Sequence, residues 1–113
     1  MEQSFSTKVL RVDGATVIYI QGEIDMSTAE RLRDVIEPLM GPDQTIVLDL
    51  AGVDFMDSSC LNVLAQARGT LTADGGSLIL RNPSTAARRV LSIFEAEFIL
   101  AKDADDHPEE HPD

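Results

Sequence analysis

Alternating apolar and polar positions at the start of the chain predict a β-hairpin. Residues 5–13 approach strict alternation and end at Asp13-Gly14, a dipeptide typical of two-residue hairpin turns. Residues 15–21 contain the apolar run Val17-Ile18-Tyr19-Ile20, which predicts a second strand. We therefore expect these two strands to pair in antiparallel fashion.

The spacing of apolar residues becomes helical after Gly22-Glu23-Ile24-Asp25, which is expected to close the second strand. Ser27 and Thr28, with Glu30 behind them, have the form of an N-cap and capping box. Pro38 predicts a kink or an irregular last turn, because its ring removes a backbone donor. The face that packs on the sheet is predicted to contain Ala29, Leu32, Val35, Ile36, Leu39 and Met40.

The rest of the chain continues to alternate between strand and helix. Residues 45–50 form a short apolar run typical of a strand buried on both faces. A helix is predicted from Asp57-Ser58-Ser59 to Gly75-Gly76, followed by a strand at 77–81 and a final short strand at 98–100. Between those two strands lies a third helix, with the predicted inner face Ala87, Val90, Leu91 and Phe94.

The predicted order ββαβαβαβ indicates an α/β fold with a mainly parallel sheet, an N-terminal antiparallel hairpin at its edge and helices packed on it. The 113 residues are enough for one hydrophobic core. We expect a single domain over residues 1–102. Residues 103–113 have two prolines and almost no apolar side chains, which predicts a disordered acidic tail.

Residues 53–61 carry the strongest functional signal in the chain. Two adjacent hydroxyl residues, Ser58 and Ser59, stand at a predicted helix start. Free backbone N–H groups and the positive end of the helix dipole favour an added phosphate at such a position. The structural alternative is that Asp57 and one of the serines only cap the helix.

The surroundings of the two serines favour a functional role over capping alone. The segment contains or adjoins the carboxylates Asp49, Asp54 and Asp57. It also contains Phe55 and Met56, two apolar residues that we expect to be exposed. A structural turn requires neither feature.

The run Phe55-Met56-Asp57-Ser58-Ser59, with the strand at 46–50 and Gly22-Glu23-Ile24-Asp25 before it, resembles the STAS-domain anti-sigma factor antagonists of bacteria. The resemblance covers about residues 5–102 and implies a small α/β domain of STAS type. It implies phosphorylation of Ser58, with Ser59 as the second choice, by an anti-sigma factor that is also a serine kinase. The chain departs from the family at Cys60, where glycine is usual, and the closing C-terminal helix of the family is expected to be missing.

The resemblance also implies a mechanism of partner switching that regulates transcription. The unphosphorylated protein would bind the anti-sigma factor kinase, and a serine phosphatase would reverse the modification. The chain would be neither an enzyme nor dependent on a cofactor. The alternative is a STAS scaffold, or a ligand-binding subunit of a transport or signalling complex, without phosphorylation. The implied partner-binding residues are Asp25, Phe55, Met56, Asp57, Ser58, Ser59 and Cys60.

Composition excludes several other classes of function. The net charge of −11 argues against nucleic-acid binding and against an anionic membrane surface. No apolar run has the length of a membrane span and the first residues lack the pattern of a signal peptide, so a cytoplasmic protein is expected. The single cysteine excludes an internal disulfide.

Catalytic and metal sites are not expected. Both histidines, His107 and His111, lie in the predicted tail, so no fixed serine triad can be drawn. The tail prolines prevent the helix that would place the two imidazoles on one face for a metal. Cys60 has no partner imidazole, and Asp49 lies inside a predicted strand without a lysine near it in sequence, which argues against an aspartyl-phosphate receiver.

Overall fold

Four strands form one mixed sheet, in the order β1-β2-β3-β4, in the computed structural model, which describes residues 5–94. β1 and β2 pair antiparallel, and the other two pairs are parallel, as predicted. Asp13 and Gly14 both have positive φ, 51° and 84°, which is the backbone that a two-residue type I′ turn requires. The strands are β1 (Phe5–Val12), β2 (Ala15–Ile24), β3 (Thr45–Met56) and β4 (Ser77–Arg81).

Three α-helices connect and cover the strands: α1 (Met26–Ile36), α2 (Ser59–Ala73) and α3 (Thr85–Phe94). α1 ends where a 3-10 helix, Glu37–Leu39, begins, with Pro38 inside it. The predicted irregular last turn is therefore confirmed. None of the helices within residues 5–94 is long and apolar enough to cross a membrane. The predicted strand at 98–100, the tail at 103–113 and the missing closing helix fall outside the described residues.

The hydrophobic core lies between the sheet and the helices. Buried residues that alternate along β2 and β3, such as Ile18, Ile20 and Leu48, contribute from the sheet. The helices contribute buried residues at helical spacing, among them Leu32 of α1 and Leu64 of α2. The core is therefore aliphatic, and it fixes the direction in which each helix leaves the sheet.

β2 and β3 are both longer than the sequence pattern predicts. The pattern ends β2 at Gln21 and β3 at Leu50, but the pairing continues to Ile24 and Met56. Register irregularities between Tyr19 and Gln21 and between Gly22 and Glu23 accommodate the extra residues of β3. The ladder satisfies backbone groups in segments that include residues of low strand propensity, such as Gly22, Gly52 and Asp54.

Candidate functional site

The carboxyl ends of β2 and β3 bring two helix starts together. Ile24 and Met56 form the last pair of the parallel ladder, and the Asp57 N–H donates to the Ile24 carbonyl at 3.2 Å. α1 follows directly after β2, and α2 follows directly after β3. Asp25 and Asp57, which each come next after the last strand residue, are therefore neighbours at one end of the sheet.

The two helix starts are built in the same way, from the sequence Asp-X-Ser. The Asp25 Oδ1 atom accepts hydrogen bonds from the Ser27 N–H at 2.9 Å and from the Ser27 hydroxyl at 2.8 Å. The Asp57 Oδ1 atom accepts from the Ser59 N–H at 2.9 Å and from the Ser59 hydroxyl at 2.5 Å. In both cases the carboxylate supplies the capping acceptor and the second residue after it donates twice.

The predicted N-cap at Ser27 is wrong, because Asp25 occupies that position. Its carboxylate accepts from the backbone N–H groups of Ser27 and Thr28, and the Thr28 hydroxyl accepts from the Asp25 N–H at 2.8 Å. The capping box thus joins Asp25 and Thr28, rather than Ser27 and Glu30 as predicted. A carboxylate reaches both free N–H groups of the first turn, so the helix begins two residues earlier than predicted.

Ser58 and Ser59 have different environments. The Ser59 hydroxyl is half-buried and donates to Asp57. Ser58 is exposed, and its side chain makes no capping hydrogen bond to α2. Asp57 and Ser59 together carry out the structural capping, which leaves the Ser58 hydroxyl accessible at the first turn of the helix.

The apolar neighbours of the serines differ in exposure. Phe55 is 47% exposed, as expected, but Met56 is 5% exposed and belongs to the core. The expected exposure of Met56 is wrong because the register irregularity of β3 before Phe55 resets the alternation, so that Met56, the partner of the buried Ile24, faces the core. Cys60 is 0% exposed and its thiol donates to the Asp57 carbonyl at 3.6 Å. Neither Met56 nor Cys60 presents a surface to a partner in this conformation.

Met26 is an exposed residue at this site that the sequence analysis missed. It is 77% exposed and holds the middle position of Asp25-Met26-Ser27, which corresponds to Ser58 in the second Asp-X-Ser. The repeat of Asp-X-Ser after two predicted strands was the signal that could have found it. We call the surface formed by Asp25, Met26, Phe55, Asp57 and Ser58 the cap surface.

The cap surface is negatively charged. The Asp25 carboxylate accepts a hydrogen bond from the Ser27 hydroxyl, and this bond is the main reason that the pKa of Asp25 lies below its ordinary value. Asp54, which is exposed, lies near the end of β3, three residues before Asp57. A further negative charge on Ser58 would therefore be placed among existing carboxylates.

The Cys60 thiol is buried at the start of α2, and its surroundings disfavour the thiolate. Burial, together with the charge of Asp57, raises its pKa to about 12. The thiolate needed for nucleophilic or redox chemistry is therefore almost absent at neutral pH. The residue acts as a small apolar side chain beneath the cap surface.

We expect a thiol-specific disulfide reagent to react with Cys60 at pH 8 at least about 1,000-fold more slowly in the folded protein than in the unfolded protein. The physical reason is that both access and ionisation are suppressed. The absorbance of the coloured thiolate that the reagent releases, followed over time with and without denaturant, gives the two rates and their ratio. Equal rates in the two conditions would show that the thiol is not protected by the fold.

Asp49 lies away from the cap surface, within β3, and is 7% exposed. Its carboxylate accepts hydrogen bonds from the Arg81 Nε and the Asn82 amide, both at 3.0 Å, and from the Ala51 N–H at 3.1 Å. The bonds from Arg81 and Asn82 tie the middle of β3 to the end of β4, and the bond from Ala51 is local to β3, so Asp49 has a structural role. No group of three or more possible metal ligands occurs among residues 5–94.

Asp49→Asn should reduce the free energy of unfolding by about 1–2 kcal/mol, since an amide cannot accept all of these bonds. Burial alone would raise the pKa of Asp49, but its hydrogen bonds outweigh burial and hold the pKa below the ordinary 3.8. The stabilisation is therefore complete above about pH 4 and is lost as the pH falls through the lowered pKa. Urea unfolding from pH 7 to pH 3 should show the difference between variant and wild type shrinking at acid pH. Exposed Asp54→Asn, the control, should change stability by less than about 0.5 kcal/mol.

Comparison with known proteins identifies one family, both by sequence and by structure. The STAS domain family matches residues 6–109 of the chain. A protein of Lysinibacillus sphaericus named anti-sigma F factor antagonist is 37% identical over 76 residues. That match covers 66% of this chain and 65% of the relative's length, so the chain spans a little under two thirds of that protein.

Solved structures agree with the α/β fold that the sequence predicts. An anti-sigma factor antagonist from Mycobacterium paratuberculosis is 31% identical, with a TM-score of 0.71 over 84% of this chain and 81% of that one. The anti-sigma factor antagonist SpoIIAA in its unphosphorylated form is 29% identical, with a TM-score of 0.66 over 80% and 79% of the two chains. The phosphorylated form of SpoIIAA from Bacillus is 28% identical, with a TM-score of 0.64 over 83% of this chain and 86% of that one.

Proposed function

The chain belongs to the STAS domain family, and on that premise we propose that it is an anti-sigma factor antagonist controlled by phosphorylation of Ser58. The observation that carries the proposal is that the two serines at the start of α2 differ in hydrogen bonding and exposure. Asp57 and Ser59 satisfy the helix start between them, whereas the Ser58 hydroxyl is exposed. A kinase can modify Ser58 without breaking the cap.

In the unphosphorylated state, the protein binds an anti-sigma factor through the cap surface. The exposed apolar side chains Met26 and Phe55 supply area that a partner can bury. Ser58 lies on the same surface as a small neutral group. The partner is thereby occupied and releases its sigma factor, which is how the antagonist regulates transcription in the cytoplasm.

Phosphorylation changes the charge of this surface and leaves the fold intact. A phosphoserine adds about −1.5 to −2 charge at pH 7. The first-turn N–H groups and the dipole of α2 accommodate the anion within the protein. A docked partner, however, would have to desolvate that charge beside Asp25 and Asp57, so binding is lost.

The protein is thus a substrate and not a catalyst. The anti-sigma factor acts as the serine kinase and supplies the nucleotide, and a separate serine phosphatase removes the phosphate. Two names among the similar structures support this cycle, because SpoIIAA has been solved in an unphosphorylated and a phosphorylated form. The high pKa of the Cys60 thiol supports a non-catalytic role for the residue next to the serines.

Mass spectrometry of the protein purified from its own cells tests the proposal. Phosphate should be found on Ser58 in the wild type and in Ser59→Ala, and should be absent from Ser58→Ala. Ser59→Ala is the matched control because it removes the neighbouring hydroxyl. Phosphate on Ser59 alone would overturn the assignment. Absence of phosphate under all growth and stress conditions would instead favour a STAS scaffold, or a ligand-binding subunit of a transport or signalling complex.

A further inference from the structure

A groove between α1 and α2 is large enough for a small molecule. Its volume is about 370 Å³, within the range of ligand pockets in proteins. It lies along the second half of α1 and the middle of α2, and it reaches the 3-10 helix at Glu37. Its apolar lining consists of Ile36, Met40, Val63 and Ala67.

Arg33 places an incompletely satisfied cation at this groove. Its Nε atom is buried and has no hydrogen-bond partner among the described residues. Its nearest ion pair, to Glu30 on the same helix, is long at 3.9 Å. A buried donor without an acceptor is costly, so an acceptor that enters the groove and draws the guanidinium toward it would be favoured.

Gly69 lines the same groove from α2 and has no packing reason to be glycine. A Cβ atom added there would meet nothing within 4 Å, and the residue has no positive φ. Glycine inside a helix destabilises it by comparison with alanine. The absence of a side chain at this position keeps the groove open.

Polar side chains lie beside the apolar lining. Gln66 and Thr70 of α2 offer an amide and a hydroxyl, which can donate to an anionic oxygen. Among the described residues 5–94, Glu37 is the one acidic residue that lines the groove, and it is exposed. The combination of an apolar channel, one guanidinium and two neutral donors fits a ligand with an aliphatic chain and a single carboxylate.

We infer that this groove binds a single-chain aliphatic carboxylate, with its chain between the two helices and its carboxylate on Arg33. The site is separate from the cap surface. Among residues 5–94 the two share no residue, and the lining residue of α2 nearest to Ser58, Val63, follows it by five residues, which corresponds to roughly 7 Å along the helix axis. The inference does not depend on the proposed function, and the two can fail independently.

Decanoate and decanol are the probes, because they share a chain and differ in charge. Titration of the isotopically labelled protein, followed by the backbone amide NMR signals, should show decanoate shifting groove residues of α1 and α2. Arg33→Gln should weaken decanoate binding by about 10-fold and decanol binding by less than twofold. Glu37→Gln should strengthen decanoate binding, since it removes the acidic group of the lining.

Two substitutions at Gly69, which lines the groove, serve as controls. Gly69→Leu should reduce binding of both probes at least 10-fold by filling the groove, whereas Gly69→Ala should bind both within about twofold of wild type. Each variant is used only if its urea unfolding curve shows a cooperative transition, as expected of a folded protein. Decanoate that shifts no groove signal at millimolar concentration would overturn the inference. So would an Arg33→Gln variant that loses both probes equally.

Discussion

Ser58→Asp should bind the cognate anti-sigma factor about 100-fold more weakly than the wild type, which corresponds to ~2.7 kcal/mol. The added carboxylate would lie on the cap surface, which already carries Asp25 and Asp57, and docking would have to remove water from it. Desolvation and like-charge repulsion of this kind cost several kcal/mol at a protein interface. Titration calorimetry with the purified partner measures the change.

Ser58→Asn is the matched control, because asparagine has the size of aspartate without its charge. We expect it to lose much less affinity than Ser58→Asp, and we expect the difference between the two variants to shrink as salt is raised. If both variants lose the same affinity, the size of the side chain rather than its charge controls docking. If Ser58→Asp binds as tightly as the wild type, charge exclusion is wrong.

Gly76→Ala should destabilise the domain by roughly 3 kcal/mol or more. A Cβ atom at this position would lie 2.0 Å from the Gln44 carbonyl oxygen and 2.9 Å from the Gln44 backbone C and N atoms. These are backbone atoms at the entry to β3, and the same carbonyl accepts a hydrogen bond from the Ser77 N–H at 3.0 Å. The clash can be relieved only by moving the starts of β3 and β4 apart, which breaks that bond.

Gly69→Ala is the control for this prediction, because it adds the same methyl group to open space inside α2. It should stabilise the domain by about 0.5–1 kcal/mol, the usual gain from replacing glycine by alanine in a helix. Equilibrium unfolding in urea compares both variants with the wild type. A Gly76→Ala protein within about 1 kcal/mol of the wild type would show that the approach of the two strand starts is not rigid.

Signals within a few residues of sequence predicted most of the fold. Asp13-Gly14 forms the predicted turn because few residue pairs tolerate two positive φ angles. Pro38 ends the regular part of α1 because its ring has no N–H to donate. The run at 45–50 is buried on both faces, as continuous apolar runs in parallel sheets are. In each case the restriction resides in the residues themselves.

The candidate site was only partly predictable. Asp57-Ser58-Ser59 identifies the helix start, but either serine could supply the oxygen that accepts from a free backbone N–H, and residue propensity cannot decide between them. In the folded chain the Ser59 hydroxyl donates a hydrogen bond to the Asp57 carboxylate, which leaves Ser58 as the exposed serine. The sequence pattern does not identify Met26, because it favours Ser27 as the N-cap, whereas the exposure of Met26 depends on α1 beginning directly after Asp25.

The sequence by itself determined the alternation of strands and helices, the hairpin turn and the location of the serine pair, because local conformational preference and hydrophobic period encode these features. Only the tertiary structure decided that β2 and β3 continue to Ile24 and Met56, that Met56 is buried, and that Asp25 and Asp57 are neighbours. The physical reason is that a parallel ladder joins segments far apart in sequence. Its hydrogen bonds hold residues of low strand propensity in extended form, which neither segment would adopt alone.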